Sequence, residues 1–284
     1  MNLPMPRNFS RWVVGLVWAG SCLAAETDRS PELTLLETAS GVEYGVWGYA
    51  SEAPSPVLIN LGNSIEGILG SEYFRQSGNA LAELGYLSVS IDLPGHGKQR
   101  REDEPEGLKA WRVRLERGEN FVAENNGRLS DVVDHLIASG MADPKRIAIC
   151  GTSRGGFLAL HFAAHDRRVK TVAAFAPVTD LMVLKEFQGA ENVTLVGELT
   201  AIRLAERLAD RSVWIIIGDR DERVGTDESI AVARAITAEA LRQGESSDVE
   251  LHVLTEPKGH TTPRGAAELA AVWINRQVEI SSKE

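Results

Sequence analysis

The sequence predicts an α/β fold with a mostly parallel central sheet and helices on both faces. Short β-branched runs alternate with amphipathic helical stretches along the chain, which is the pattern of a parallel sheet covered on both sides. Of the 284 residues, 43% are hydrophobic and 25% are charged, as in a soluble globular protein that buries one large core. The chain shows no internal repeat or low-complexity segment. We therefore expect a single domain over residues 26–284.

The order of the predicted strands and helices follows from the apolar patterns. Two strands near 33–38 and 42–49 flank the turn signal Ala39-Ser40-Gly41 and are expected to form an antiparallel hairpin. Six further strands are predicted at 57–61, 86–92, 146–150, 171–175, 212–217 and 249–254. Helical periodicity predicts helices at about 71–84, 129–139, 154–165 and from 263 onward.

Two segments interrupt this alternation. Residues 98–127 are highly charged, with Trp111 and Phe121 interleaved, and are expected to run over the surface as an excursion. Residues 181–211 carry two weak helical patterns. They are predicted to form a small cap segment near the functional site.

The first 25 residues, 1–25, have the order of a signal peptide. Arg7 and Arg11 precede an apolar stretch at 12–20, and small residues follow. The apolar stretch is short for a bilayer, so a permanent transmembrane helix is the weaker interpretation. We expect export, with the protein periplasmic, secreted or lipid-anchored in a bacterial envelope. Cys22 resembles the cysteine of a lipoprotein cleavage site but lacks the usual leucine before it, so lipid attachment there stays an open alternative.

Charge and composition limit the classes of partner and cofactor that we expect. The formal net charge of −10 argues against nucleic acid, whose binding requires local excesses of Lys and Arg. No His and Cys cluster has metal-ligand spacing, so we expect no metal and no organic cofactor. Cys150 lies in an apolar run and is interpreted as a buried thiol. The expected partner is a small-molecule ester or peptide substrate, and the sequence leaves the oligomeric state open.

A nucleophile motif follows the strand predicted at 146–150. Residues 151–155, Gly-Thr-Ser-Arg-Gly, match the pattern G-x-S-x-G, with a buried strand before it and an apolar helix after it. Such a tight strand-to-helix turn presents the serine hydroxyl where a base can reach it. Ser153 is therefore the predicted nucleophile. The alternative is a glycine-rich packing turn without catalysis.

The predicted base is a histidine near the carboxyl end of the chain. His260 lies in the loop between the last strand and the final helix, at the same edge of the sheet as Ser153. His96 also follows a strand; residues 92–97 are interpreted as a structural turn, and contact of His96 with the pocket stays the alternative. The other histidines fall on helices or within a strand, where packing or solvent explains them.

The loop after the strand at 212–217 offers three carboxylates that are suited to orient the imidazole. These are Asp219, Asp221 and Glu222. The residues alone leave the choice among them open.

The chain resembles the α/β-hydrolases over nearly all of its length after residue 25. The resemblance rests on the serine turn, the Asp-Leu-Pro-Gly-His-Gly stretch at 92–97, the acid loop and the loop around His260. It is strongest to the dienelactone-hydrolase-like, acetyl-esterase and prolyl-oligopeptidase-type branches, and it implies an α/β-hydrolase fold. Dienelactone hydrolases proper use cysteine where this chain has Ser153, which speaks against their exact chemistry.

The resemblance also assigns further site residues. The spacing Gly-x-x-Asp-x-x-Val at 218–224 resembles the family's acid loop and implies Asp221 as the acid, with Asp219 in reserve. The family's oxyanion hole implies the backbone N–H of Arg154 as one donor. The second donor comes from the loop after an earlier strand. There the family often has His-Gly-x and this chain has Leu-Gly-Asn, so Asn63 is the choice.

These assignments predict a serine hydrolase that cleaves a carboxylic ester through a Ser-His-Asp triad and an acyl-enzyme. A peptidase or amidase of the prolyl-oligopeptidase type is the second interpretation. A non-catalytic α/β-hydrolase-fold binding module is the third, and it would not require all three triad residues.

Overall fold

The structure is a computed structural model, and it describes residues 31–49, 51–255 and 259–283. The predicted signal peptide and Cys22 lie outside these ranges. Within them, no helix is both long enough and apolar enough to cross a membrane.

The described residues form an eight-stranded sheet in the order β1-β2-β4-β3-β5-β6-β7-β8. The strands are β1 (Glu32–Glu37), β2 (Glu43–Gly48), β3 (Ser55–Leu61), β4 (Leu87–Ser90), β5 (Ala142–Thr152), β6 (Val169–Phe175), β7 (Ser212–Gly218) and β8 (Asp248–Leu254). β1 and β2 form the predicted antiparallel hairpin, and β2 also pairs antiparallel with β4. All the remaining pairs are parallel. The predicted mostly parallel sheet is thus confirmed.

Helices cover both faces of the sheet, as predicted. They are α1 (Ile65–Leu69), α2 (Glu72–Arg75), α3 (Ser77–Ala82), α4 (Leu108–Glu116), α5 (Phe121–Ala138), α6 (Arg154–His165), α7 (Thr194–Glu198), α8 (Ala205–Leu208), α9 (Thr226–Gln243) and α10 (Ala266–Ser281). One face packs α4, α5, α6 and α9 against inward side chains such as Val57, Ile59, Ile149 and Ile215. The opposite face packs α3 and α10 against Leu58, Cys150, Ala173, Trp214 and Ile216.

The charged segment 98–127 is not only a surface excursion, and that prediction is wrong for its second half. Residues 108–116 form α4, and α5 begins at Phe121, eight residues before the predicted start at 129. The Trp111 and Phe121 rings are fully buried and stacked, with their centroids 4.5 Å apart. The apolar residues of α4 recur every three or four positions, a helical spacing that the surrounding charges concealed.

The helix predicted at 71–84 is broken in the structure. α2 ends at Arg75, and α3 begins at Ser77. Between them Gln76 has φ 50° and ψ −126°, a conformation that a side-chain-bearing residue rarely adopts and that a helix cannot contain. Ser71 caps the start of α2, since its side chain accepts a hydrogen bond from the backbone N–H of Phe74.

Candidate active site

The turn between β5 and α6 presents Ser153 at the carboxyl edge of the sheet. Ser153 has φ 55° and ψ −113°, a strained backbone that costs on the order of 1–3 kcal/mol for a residue with a side chain. Its backbone N–H donates to the carbonyl of Phe175 at 2.8 Å. A Cβ atom at Gly155 would lie 1.9 Å from the carbonyl oxygen of Leu61. Glycine is therefore required where α6 passes β3.

The structure brings Ser153, His260 and Asp221 into one hydrogen-bonded chain. Nε2 of His260 lies 3.0 Å from Oγ of Ser153, and Nδ1 lies 2.8 Å from Oδ2 of Asp221. Because a carboxylate only accepts, Nδ1–H donates to Asp221, which leaves Nε2 to accept from the serine hydroxyl. The serine is thus in contact with a base whose tautomer is fixed by the carboxylate.

Asp221 is buried, with 2% of its surface exposed. Burial raises the pKa of its carboxyl group, but the hydrogen bond and charge of His260 and two backbone N–H donors outweigh burial and hold the pKa below its ordinary value. Those two donors are the N–H groups of Arg223 and Val224, at 3.1 and 3.2 Å from Oδ1. The carboxylate is therefore ionised and fixed in position.

The other two carboxylates of this loop are more exposed to solvent than Asp221. Asp219 has 40% of its side chain exposed and pairs with the guanidinium of Arg220 at 3.2 Å. Glu222 is exposed. Of the three carboxylates that the sequence left open, the structure brings Asp221 to His260.

Both predicted oxyanion-hole residues border the same cavity as Ser153. This cavity has a volume of about 310 Å³, and its walls include Gly62, Asn63, Arg154 and His260. The carbonyl of Asn63 accepts from the N–H of Leu93 at 2.9 Å, which fixes the loop after β3. The α1–α3 region supplies the outer wall through Tyr73, Phe74 and Gln76.

A second cavity, of about 440 Å³, is also bordered by Arg154. Its walls include His96, Arg223 and Glu186, the last from the predicted cap segment 181–211. His96 has two roles there: Nδ1 donates to the carbonyl of Pro94 at 3.0 Å, and Nε2 lies 2.5 Å from Nη1 of Arg154.

Sequence reasoning missed the side chains of this second cavity. It selected Arg154 for its backbone N–H alone, and it interpreted His96 as part of a turn, with contact between His96 and the pocket as the alternative. An arginine directly after the nucleophile, and another two residues after Asp221 at Arg223, were the available signals. Among the residues that the structure describes, no cluster of three or more His, Cys, Asp and Glu side chains is arranged to hold a metal ion.

A family model described as "Prolyl oligopeptidase family" matches residues 73–274. Among curated proteins, the acylamino-acid-releasing enzyme of Arabidopsis thaliana is 25% identical over 176 residues, covering 52% of this chain and 22% of that protein. Hydrolyase poxO of Penicillium oxalicum is 28% identical over 128 residues, covering 45% of this chain and 28% of that protein. The chain thus spans well under half the length of these two relatives.

Solved structures share the fold. The protein TT1662 from Thermus thermophilus has a TM-score of 0.66 at 21% identity, with 88% of this chain and 99% of that chain covered. The acetyl xylan esterase of Paenibacillus sp. R4 has a TM-score of 0.61 at 17% identity, with 88% and 89% covered. The acylaminoacyl peptidase of Pyrococcus horikoshii has a TM-score of 0.65 at 16% identity, with 88% and 42% covered. The predicted α/β-hydrolase fold is confirmed.

Proposed function

The chain belongs to the prolyl oligopeptidase family of serine hydrolases, and we propose that it cleaves a carboxylic ester with Ser153 as nucleophile, His260 as base and Asp221 as acid. The observation that carries the proposal is the chain of contacts from Asp221 to Ser153, 2.8 Å on one side of the imidazole and 3.0 Å on the other. These are the separations that proton transfer from the serine hydroxyl requires.

The proposed reaction proceeds in two halves. Nε2 of His260 takes the proton of the Ser153 hydroxyl while Oγ attacks the acyl carbonyl carbon, and Asp221 stabilises the imidazolium that forms. The tetrahedral intermediate then collapses, and the alkoxide leaves with the proton from His260. Water, deprotonated by the same imidazole, attacks the acyl-enzyme and releases the acid and Ser153.

The backbone N–H groups of Asn63 and Arg154 are proposed to bind the oxyanion of both tetrahedral intermediates. Their positions in the wall of the cavity around Ser153 support this role. Arg154 is the first residue of α6, so its N–H lies at the positive end of the helix dipole, where a developing negative charge is stabilised.

An ester is proposed because it demands least of this site, since an alkoxide leaves more readily than an amine, which must first be protonated. The second candidate is hydrolysis of a peptide or amide bond. The similarity to the acylamino-acid-releasing enzyme and to an acylaminoacyl peptidase favours it. The test below compares an ester bond and an amide bond that carry the same acetyl group.

We also propose that residues 1–25 direct export, which rests on the order of charged, apolar and small residues there. Expression in a bacterium, followed by fractionation and mass determination of the mature amino terminus, tests this. A periplasmic chain that begins near residue 26 supports export, lipid on Cys22 identifies an anchored form, and an uncleaved cytoplasmic chain contradicts the proposal.

The function is tested by reaction with a fluorophosphonate and by turnover of 4-nitrophenyl acetate beside 4-nitroacetanilide. We expect labelling at Ser153 and faster turnover of the ester. Ser153→Ala abolishes both signals, whereas Ser139→Ala, at an exposed serine after α5, keeps them. Measurable turnover of the anilide would favour the peptidase, because either kind of enzyme cleaves an activated ester faster than an anilide. A folded protein that is not labelled and turns over neither substrate would contradict catalysis. The non-catalytic binding module would then be the remaining interpretation.

A further inference from the structure

Arg154 borders both the cavity around Ser153 and the second cavity of about 440 Å³. The two cavities therefore share a wall residue that directly follows the reacting serine in the chain. The proposed ester hydrolysis uses the backbone N–H of Arg154 and gives its guanidinium no part. The charged side chains in the wall of the second cavity indicate which kind of ligand that guanidinium would bind.

The guanidinium of Arg154 is largely buried and has no carboxylate partner. Its hydrogen-bond partner is Nε2 of His96, and among the described residues no carboxylate lies within ion-pair distance of it. Nε2 accepts this bond, so His96 is neutral; burial and the charge of Arg154 lower its pKa, which favours that state. A neutral imidazole does not compensate the guanidinium charge, and a secluded charge without a counter-ion is costly.

A second guanidinium increases this positive charge. Burial, and then the charge of Arg223, lower the pKa of Arg154, and the charge of Glu186 opposes them. Arg223 itself is compensated, because Glu186 lies 2.8 Å from it. Glu106, a further carboxylate in the wall, pairs with Arg100 at 2.6 Å. Each of the two carboxylates in the wall is thus paired with another arginine, and the cationic side chains there, Arg154, Arg223 and Lys109, outnumber them. The wall of the second cavity therefore carries a net positive charge.

We propose that the second cavity binds a carboxylate carried by the substrate, and that Arg154 is the residue that selects it. Arginine has five N–H donors in a planar fork that matches a carboxylate. His96 takes one donor on Nη1, and its bond to Pro94 fixes the imidazole that orients the fork. The natural substrate is then an anionic ester. This inference rests on the proposed function, because the preference is expressed through hydrolysis at Ser153.

The test compares esters that carry a free carboxylate with the same esters after methylation of that carboxylate. Mono-(4-nitrophenyl) adipate and its methyl ester place the charge on the acyl side, and 4-acetoxybenzoate and its methyl ester place it on the leaving group. We expect kcat/KM to favour the anion in at least one pair by about ten- to hundredfold, the size of a charge-assisted hydrogen bond. The preference should shrink as ionic strength rises from about 0.01 M to 1 M.

For each variant, kcat/KM for the anionic ester is divided by kcat/KM for its neutral partner. A substitution that slows both reactions equally leaves this ratio unchanged. Arg154→Met should reduce the ratio to about one, and Arg154→Lys, which keeps the charge without the fork, should retain part of it. Arg242→Met, at an exposed arginine of α9, should leave the ratio unchanged. If Arg154→Met does not fold, the salt dependence of the wild-type ratio takes its place.

The outcomes separate this inference from the proposed function. Turnover of both members of each pair at equal rates, with Ser153 labelled by fluorophosphonate, overturns the inference and leaves the hydrolase intact. A preference that persists in Arg154→Met also overturns it. Absence of labelling and turnover overturns the proposed function and, with it, the inference.

Discussion

Nδ1 of His260 lies 2.8 Å from Oδ2 of Asp221, while Oδ1 of the same carboxylate is held by the backbone N–H groups of Arg223 and Val224. The bond to His260 fixes the imidazole tautomer, and the two backbone bonds fix the carboxylate. Asp221 is thus the rigid end of the hydrogen-bonded chain that reaches Ser153.

Asp221→Asn should lower kcat by about 10⁴-fold with the fold retained. An amide can donate where the carboxylate accepts, so it favours the wrong imidazole tautomer and does not stabilise the imidazolium. The matched control is Asp219→Asn in the same loop, which should keep wild-type turnover of 4-nitrophenyl acetate. Equal losses in both variants would mean that the loop, and not the contact with His260, is what matters.

Gly155→Ala should destabilise the protein by about 3 kcal/mol or more and abolish turnover. The added Cβ would lie 1.9 Å from the carbonyl oxygen of Leu61 and 2.8 Å from the backbone nitrogen of Gly62. Neither backbone atom can yield without displacing β3 and the loop that holds Asn63. Urea unfolding monitored by circular dichroism measures the loss.

The matched control for that substitution is Gly127→Ala on the exposed side of α5. A Cβ there meets nothing within 4 Å, and alanine is favoured over glycine inside a helix by about 0.5–1 kcal/mol. We expect Gly127→Ala to be neutral or stabilising. Similar losses in the two variants would contradict the close approach at Gly155.

Glu104→Gln should destabilise the fold by about 3–5 kcal/mol. Arg114 and Glu104 form an ion pair at 2.9 Å with side chains only 1% and 0% exposed, so the change leaves a buried guanidinium without its counter-charge. The pair of Arg242 and Glu239, whose side chains are 66% and 18% exposed, offers a control at the surface, and Glu239→Gln should unfold at nearly the same urea concentration as wild type. Equal shifts in the two midpoints would contradict the burial of Glu104.

His161 should make the protein less stable in acid. Burial, together with the charge of Arg207, lowers the pKa of His161 to about 4, although the bond to the Leu199 carbonyl opposes this. Between pH 6.5 and about 4 the unfolded chain binds a proton there and the native one does not, so falling pH favours unfolding, by up to about 3 kcal/mol. His161→Gln should flatten the stability curve in this window. An unchanged slope would contradict the assignment.

The predictions that succeeded depend on short-range patterns. Apolar runs located β3, β5, β6, β7 and β8, and the glycines around Ser153 located the turn that holds it, because both signals lie within a few residues. The resemblance at 218–224 pointed to Asp221, the carboxylate that lies 2.8 Å from Nδ1 of His260, and its role as the acid stays a prediction.

The predictions that failed depend on contacts between distant parts of the chain. The charge of 98–127 concealed α4, whose Trp111 is buried because Pro94 accepts its indole N–H at 2.7 Å. The positive φ of Gln76 breaks the helix expected at 71–84, and nothing in a glutamine signals it. The contact of Arg154 with His96 joins residues 58 positions apart, so only the fold could show it.

Cys150 occupies the middle strand of the sheet, paired with Asn60 on β3 and Ala173 on β6. It is fully buried, and burial raises the pKa of its thiol. An alkylating reagent therefore reaches this sulfur only when the centre of the molecule opens. Followed by mass spectrometry, the alkylation rate of Cys150 measures how often the native state opens at its centre, without denaturant.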